Sequence, residues 1–520
     1  MKTINIKLLA SLLVILGACS QDVLELEAPE TTTPETTTPS KGSADFTKFV
    51  SIGNSLTAGF QAGALFTEGQ QNSLPLILSK QFSLAQGTTL TFNQPDINSD
   101  YGYYGLAGSI KLGRLILYDP DGTTGPKTTA PAPTGTPGMP APYSKGGDLP
   151  TAFTGDKTKL NNFAVPGILL GQALIPDTGN PASPYYNGLW ARFASQPGVK
   201  SILQDAIAAQ PSFFLFDLGN NDILGYATGG ASNPAIFTSE ANFQAQYNSA
   251  ITTLLTTNPN AKGVVANIPD VTTIPFFTTV GWNAITLDAA TSSTLTTNLA
   301  TGYNAFLDGM KAAGYISQAE ADKRKLSYKA GSNGILLTDE TLTDLTPYMN
   351  ASPSTQPLLP YARARQAASS DLIPLSAGSI LGTTVPGSTT AVYGVSYPVS
   401  DQYVLIPTET TEVKARTVAF NTIIKNAADG SGGRLALADI NATFTALVTN
   451  KAGVYNSVTV TPSFAPPTGA FSEDGVHPNS RGYAFMANIF IDAINTKFSA
   501  NVPKASLADY KGTGLPVNGQ

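Results

Sequence analysis

Four short apolar runs, each stopped by Gly, Pro, Asn or Asp, constrain this chain more than any other feature; they lie at 49–52, 160–165, 212–218 and 263–268. A fifth, RLALADI, occupies 434–440. A strand with one wet face alternates apolar and polar residues, whereas an unbroken apolar run is covered on both faces, as in a parallel sheet between two helical layers. The segments between the runs supply the helices. One begins at Ser73, with Pro75 in the first turn, where a missing N–H costs nothing, and with Leu76, Ile77 and Phe82 available for packing. Others are expected over 243–256, 297–313 and 413–428, and a last one over 480–497, where Tyr483, Met486, Phe490 and Ile494 are spaced to face the sheet. Strand alternating with helix predicts an α/β domain.

The spacing of these elements is uneven. Residues 98–150 are rich in Gly, Pro and Thr and include KTTAPAPTGTPGMPAP, too long for a plain connection. A larger insertion spans about 270–411, with helix candidates of its own and the stretch NGILLTDETLTDLTPYM, and is expected to pack as a subdomain or lid.

The first residues read as an address. Lys2 and Lys7 precede an apolar run, 8–18, that is too short to span a bilayer and closes on Leu16-Gly17-Ala18-Cys19. This resembles a bacterial lipoprotein signal peptide, which implies cleavage before Cys19 and lipidation of its thiol. Cys19 is the single cysteine of the chain, so no internal disulfide can form. A Thr/Pro-rich stretch with a near-repeat of Glu-Thr-Thr-Thr-Pro follows and reads as an extended tether over 19–45. The expected order is then signal peptide 1–18, tether 19–45, a main domain 46–500 with insertions about 98–150 and 270–411, and a C-terminal tail 501–520. Loss of the two leader lysines would take the net charge from −6 to −8. That balance excludes a nucleic-acid surface, which needs clustered cations to neutralise phosphates.

The first run ends in SIGNSLTAG, where a tight turn after a strand would lift Ser55 to the sheet edge. His477 is the only histidine in 520 residues and sits in DGVHP, three residues after Asp474. A carboxylate at that distance can accept a hydrogen bond from one imidazole nitrogen and leave the other to take a proton from a nucleophile. An exposed turn would explain the same residues. After the third run comes Gly219-Asn220-Asn221-Asp222, where Asn221 could offer an amide to a developing oxyanion, and after the second comes Gly167 in NFAVPG, which could offer a backbone N–H. Each segment alone is ordinary turn chemistry. Together they fall at the carboxyl ends of expected strands or before the last helix, the edge where open α/β sheets bind ligands.

These four blocks, in this order, resemble those of the SGNH hydrolases, also called the GDSL lipase/acylhydrolase family, and frame 49 to about 498. The resemblance implies a three-layer α/β/α SGNH-hydrolase (flavodoxin-like) fold with a mostly parallel central sheet. It also implies a serine ester hydrolase in which Ser55, His477 and Asp474 form the triad, Ser55, Gly167 and Asn221 hold the oxyanion, and no cofactor or metal takes part. Asn54 stands where the family usually has Asp, and can still hydrogen-bond the turn. Gly-x-Ser-x-Gly, the mark of another serine-hydrolase architecture, has no match.

The expected partners are an ester substrate, either a lipid acyl ester or an acetylated glycan, and a bacterial membrane held through Cys19, with the domain facing periplasm or exterior. The competing expectation is a surface binding lipoprotein that kept the fold and lost the chemistry, its large insertion serving as the binding face; Asn54 favours it, and intact Ser55, Asp474 and His477 oppose it.

Overall fold

The structure is a computed structural model that describes residues 38–120, 129–455 and 457–519. The chain divides into units 1–38 and 39–520, and the account below concerns the second. Cys19, the leader and most of the Thr/Pro-rich stretch lie outside the described residues. At the near end of that stretch, Ser40 and Asn501 exchange backbone hydrogen bonds of 3.1 and 2.7 Å, and the Ser43 N–H donates to the Phe498 carbonyl.

Strands β1 (Phe49–Gly53), β2 (Phe213–Asp217), β3 (Lys262–Ala266) and β4 (Leu435–Ala438) form a parallel sheet in that spatial order. Every residue of FFLFD in β2 is buried, and alternate rings go to opposite faces. Phe213 meets Phe82 and Phe498 at ring-centroid distances of 5.6 and 5.8 Å, while Phe216 meets Tyr247 at 5.4 Å. This explains why the runs show no polar alternation: helices cover both sides. Helices α1 (Leu74–Gln86) and α7 (Ser480–Phe498) pack together on one face, and α2 (Ile202–Ala208), α4 (Glu240–Thr257) and α5 (Pro407–Asp429) on the other. Helix α3 (Asn221–Thr228), which follows β2, packs against α5, and α6 (Ile440–Asn450), which follows β4, packs against α7. The result is an α/β protein with a parallel core sheet and helices on both faces.

Four of the five expected strands form, and the fifth is a partial exception. Residues 160–165 run beside β1 on the edge away from β2, with Ser51 N–H donating to Asn161 O and Phe163 and Val165 N–H donating to Ser51 O and Gly53 O. Only a single bridge, Ser51 with Asn162, forms there. The asparagine side chains take up groups a regular strand would use: Asn161 Nδ2 donates to Phe49 O at 2.9 Å, and Asn162 Oδ1 accepts from Ala164 N–H at 3.1 Å. The helix expected over 297–313 also starts earlier. Asp288 caps a helical segment from Ala289, which passes through a π turn at Thr296–Ala300 into Thr301–Ala312.

Both insertions hold regular elements among the described residues. In the first, strand Leu115–Asp119 pairs with Ala130–Pro133 and with Val517–Asn518 near the carboxyl terminus. The second holds two apolar clusters of its own, one around Tyr303, Leu307 and Met349 and one around Ile335, Leu337 and Ile373. Buried Arg365 links its parts through Asp371, whose oxygens accept from Nη1 and Nη2 at 2.6 Å each. Such desolvated charges persist only when paired. Among the described residues no helix is long and apolar enough to cross a membrane.

Candidate active site

Parallel pairing of β1 and β2 sets Gly53 opposite Asp217, so the turns that follow both strands leave the sheet at the same edge. After β1 the chain enters a single helical turn, Ser55–Ala58. Asn54 caps it: Oδ1 accepts from the Leu56 N–H at 2.9 Å, so asparagine does here what an aspartate would do. Ser55 is buried at the first position of that turn, where a backbone N–H has no acceptor within the helix.

After β2, Gly219 adopts φ +118°, and any Cβ there would lie 2.7 Å from the Phe243 ring. That close approach requires glycine and delivers Asn220 and Asn221 to the start of α3. The Asn221 Nδ2 donates to Ile168 O at 2.9 Å, which ties α3 to the loop after Gly167, and its amide has a second N–H to give. Asp222 strengthens the same clamp, since Oδ2 accepts from Leu170 N–H at 2.9 Å and Oδ1 from Thr238 Oγ1 at 2.8 Å. Gly167 is left-handed at φ +76° with open space where a side chain would point, so its backbone conformation, not crowding, calls for glycine.

His477 arrives from the far end of the chain. Its Nδ1 lies 2.9 Å from Asp474 Oδ2, which also accepts from Gly63 N–H at 2.8 Å. Asp474 Oδ1 accepts from the N–H groups of Val476 and His477 at 2.9 and 2.8 Å. Burial pushes the Asp474 carboxyl up, but the imidazole beside it and these hydrogen bonds prevail and hold it below the usual carboxylate range. The Phe60 ring, five residues after Ser55, lies 4.8 Å from the imidazole between centroids.

Ser55, Asn221 and His477 line one cavity of about 90 Å³, together with Asn54 and Asn220. The remaining wall is apolar: Leu224 from α3, Ile274 from the start of the second insertion, Phe444 and Leu447 from α6, and Phe485 and Ile489 from α7. Gly167 is exposed and does not line this cavity; it joins the group through the Asn221 contact with its neighbour Ile168. Ser55 and His477 share this cavity, but no hydrogen bond joins the Ser55 hydroxyl to the His477 ring among the described residues. The tyrosines at 101, 103 and 104 and those at 185 and 186 stand outside the cavity, and Trp190 is buried against Phe193.

Three contributors had no separate reading in the sequence: the Gly63 N–H on Asp474, the Asp222 clamp, and the apolar wall from α6. Only Asp222 carried a signal, as the last residue of GNND.

No family model matches the chain, and no curated protein matches it. A solved structure from Parabacteroides merdae, described provisionally as a GDSL-like lipase, overlays at 10% identity and a TM-score of 0.29, covering 88% of this chain and 99% of that one. An overlay that loose does not define a shared fold.

Directly beneath the site, burial pushes the Asp217 carboxyl up to about 6 against a single hydrogen bond from Asn220. A carboxyl whose folded pKa exceeds the ~3.9 of the unfolded chain opposes folding once ionised, so its contribution to stability falls as pH rises from about 4 to about 6. Asp217→Asn removes that charge. In urea unfolding the variant is expected to exceed wild type by about 2–3 kcal/mol at pH 7 and to equal it at pH 4; equal stabilities at pH 7 would contradict this.

Proposed function

We propose that this chain is a serine carboxylic ester hydrolase of the SGNH, or GDSL, type, working through an acyl-enzyme. One observation carries the reading: Ser55 and His477, from opposite ends of the domain, line the same cavity, and the other imidazole nitrogen is held by Asp474 at 2.9 Å. The placement of 160–165 outside β1 gives the sheet a reversal of strand order at β1, as in flavodoxin-like folds, and ligands bind at such a reversal.

In this mechanism Asp474 keeps the Nδ1 proton of His477 in place and leaves Nε2 to accept the proton of Ser55 as its oxygen attacks the ester carbonyl. The Ser55 N–H, the Gly167 N–H and the free N–H of Asn221 receive the negative oxygen. His477 then protonates the departing alkoxide. Water, deprotonated by the same imidazole, releases the acid and restores Ser55. The Asp474 carboxyl stays ionised well into acid because its environment lowers its pKa, so it serves as orienter across the neutral range.

A fluorophosphonate probe is expected to label wild type and not Ser55→Ala. Asn221→Ala should lower kcat on a p-nitrophenyl ester roughly 10²–10³-fold, and Asp474→Asn roughly 10⁴-fold. Absence of labelling on the folded wild type would instead favour a binding protein.

The reading extends to the envelope: the mature chain is anchored through lipidated Cys19 to a bacterial membrane, the outer membrane in our reading, and acts on extracytoplasmic esters. Cells expressing wild type and grown with radiolabelled palmitate should yield a labelled protein, and Cys19→Ser should remain unlabelled. Equal labelling of the two would exclude this anchor.

A further inference from the structure

We infer that the cavity behind Ser55 is an acyl-chain slot for aliphatic esters longer than acetate, and that Phe485 and Ile489 set its length. This rests on the hydrolase reading above and adds to it a substrate class and a selectivity device. Every polar side chain lining the cavity, namely Asn54, Ser55, Asn220, Asn221 and His477, belongs to the turns after β1 and β2 or to the DGVHP block. None is left over to recognise the hydroxyls of a sugar. The wall beyond them is aliphatic and aromatic, which suits a hydrocarbon chain and gives an acetyl group little to fill.

The slot is finite, with a volume of about 90 Å³. Beyond the wall lies a second, wider groove of about 700 Å³, lined by Leu437 of β4, by Tyr455 and by Asp492 and Lys504. Phe485 and Ile489 line both spaces and are therefore the partition between them. They stand four residues apart on α7, one turn above another on one side of the helix that begins just after His477. The helix that follows the catalytic base thus also closes the slot.

The test is a p-nitrophenyl ester series from acetate to hexadecanoate, run on wild type, Ile489→Ala and Ile489→Trp, each checked for folding by thermal melting. In wild type, kcat/KM should rise about fourfold per added methylene until the slot is full and then fall with longer chains. Ile489→Ala opens the partition and should raise the dodecanoate-to-hexanoate ratio about tenfold, while Ile489→Trp should lower it. If a variant fails to fold, wild type alone decides through fluorophosphonate labelling, in which an octyl probe should react at least tenfold faster than a methyl probe. Labelling of Ser55 with no preference for chain length, or acetate as the best ester with an unchanged profile in Ile489→Ala, overturns the slot and leaves the hydrolase standing. No labelling by either probe overturns both.

Discussion

Gly53 lies opposite Asp217 because β1 and β2 run parallel in register, and the site depends on that pairing. Parallel strands send their carboxyl ends to one edge, so the turn with Asn54 and Ser55 and the turn with Asn220 and Asn221 must emerge side by side. A one-residue slip would turn every strand side chain to the other face and break the separation in which Phe213 meets one helical layer and Phe216 the other. The apolar packing of the sheet and the placing of Ser55 are thus fixed by the same hydrogen bonds. His477 is brought in from a different direction, carried by the packing of α7 on α1 and held by Asp474 and Gly63.

The same edge concentrates polar groups that a purely structural core would avoid. Ser51 Oγ, Asn54 Nδ2, Asp217 Oδ2, Asn220 Oδ1 and Tyr247 Oη are all buried without a hydrogen-bond partner. Each such group costs on the order of 1–3 kcal/mol. Of these, Asn54, Asp217 and Asn220 lie at the end of β2 or in the turns after β1 and β2, where a site, not stability, is expected to dictate the residues. The surrounding structure offsets the cost: large aromatics fill both faces of β2, and the Asp222 clamp holds α3 to the loop after Gly167. The second insertion is not a mere appendage either, since Ile274 forms part of the cavity wall and the Phe276 N–H donates to Gly475 O inside the DGVHP block.

Much of this was legible in the sequence, for physical reasons that also explain what was not. β1 to β4 are covered on both faces, so composition alone marks them; 160–165 looked the same, but asparagine side chains compete with the ladder, and apolar content does not report that. The helices with strong local starts were readable: Ser73 accepts from Leu76 N–H, and Pro407 opens α5 earlier than the apolar pattern suggests. At the site, Ser55, Asp474, His477 and Asn221 stood out by residue type and order, and Asn54 performs the capping expected of it. Gly63 did not stand out, because a backbone N–H carries no residue-type signal. Nor did Phe485 and Ile489, whose periodicity looks like ordinary core packing until two cavities are seen on either side of them.

The central claim is that the lone imidazole is held by Asp474 on one nitrogen and serves Ser55 with the other. Because His477 is the only histidine, uniform ¹⁵N-histidine labelling gives one imidazole to observe by nuclear magnetic resonance. The account predicts a neutral ring protonated at Nδ1, with a strongly downfield proton that disappears in Asp474→Asn, and a spectrum that changes when Ser55 is modified by a fluorophosphonate. A ring averaging between tautomers, as in free histidine, and indifferent to both changes would contradict it.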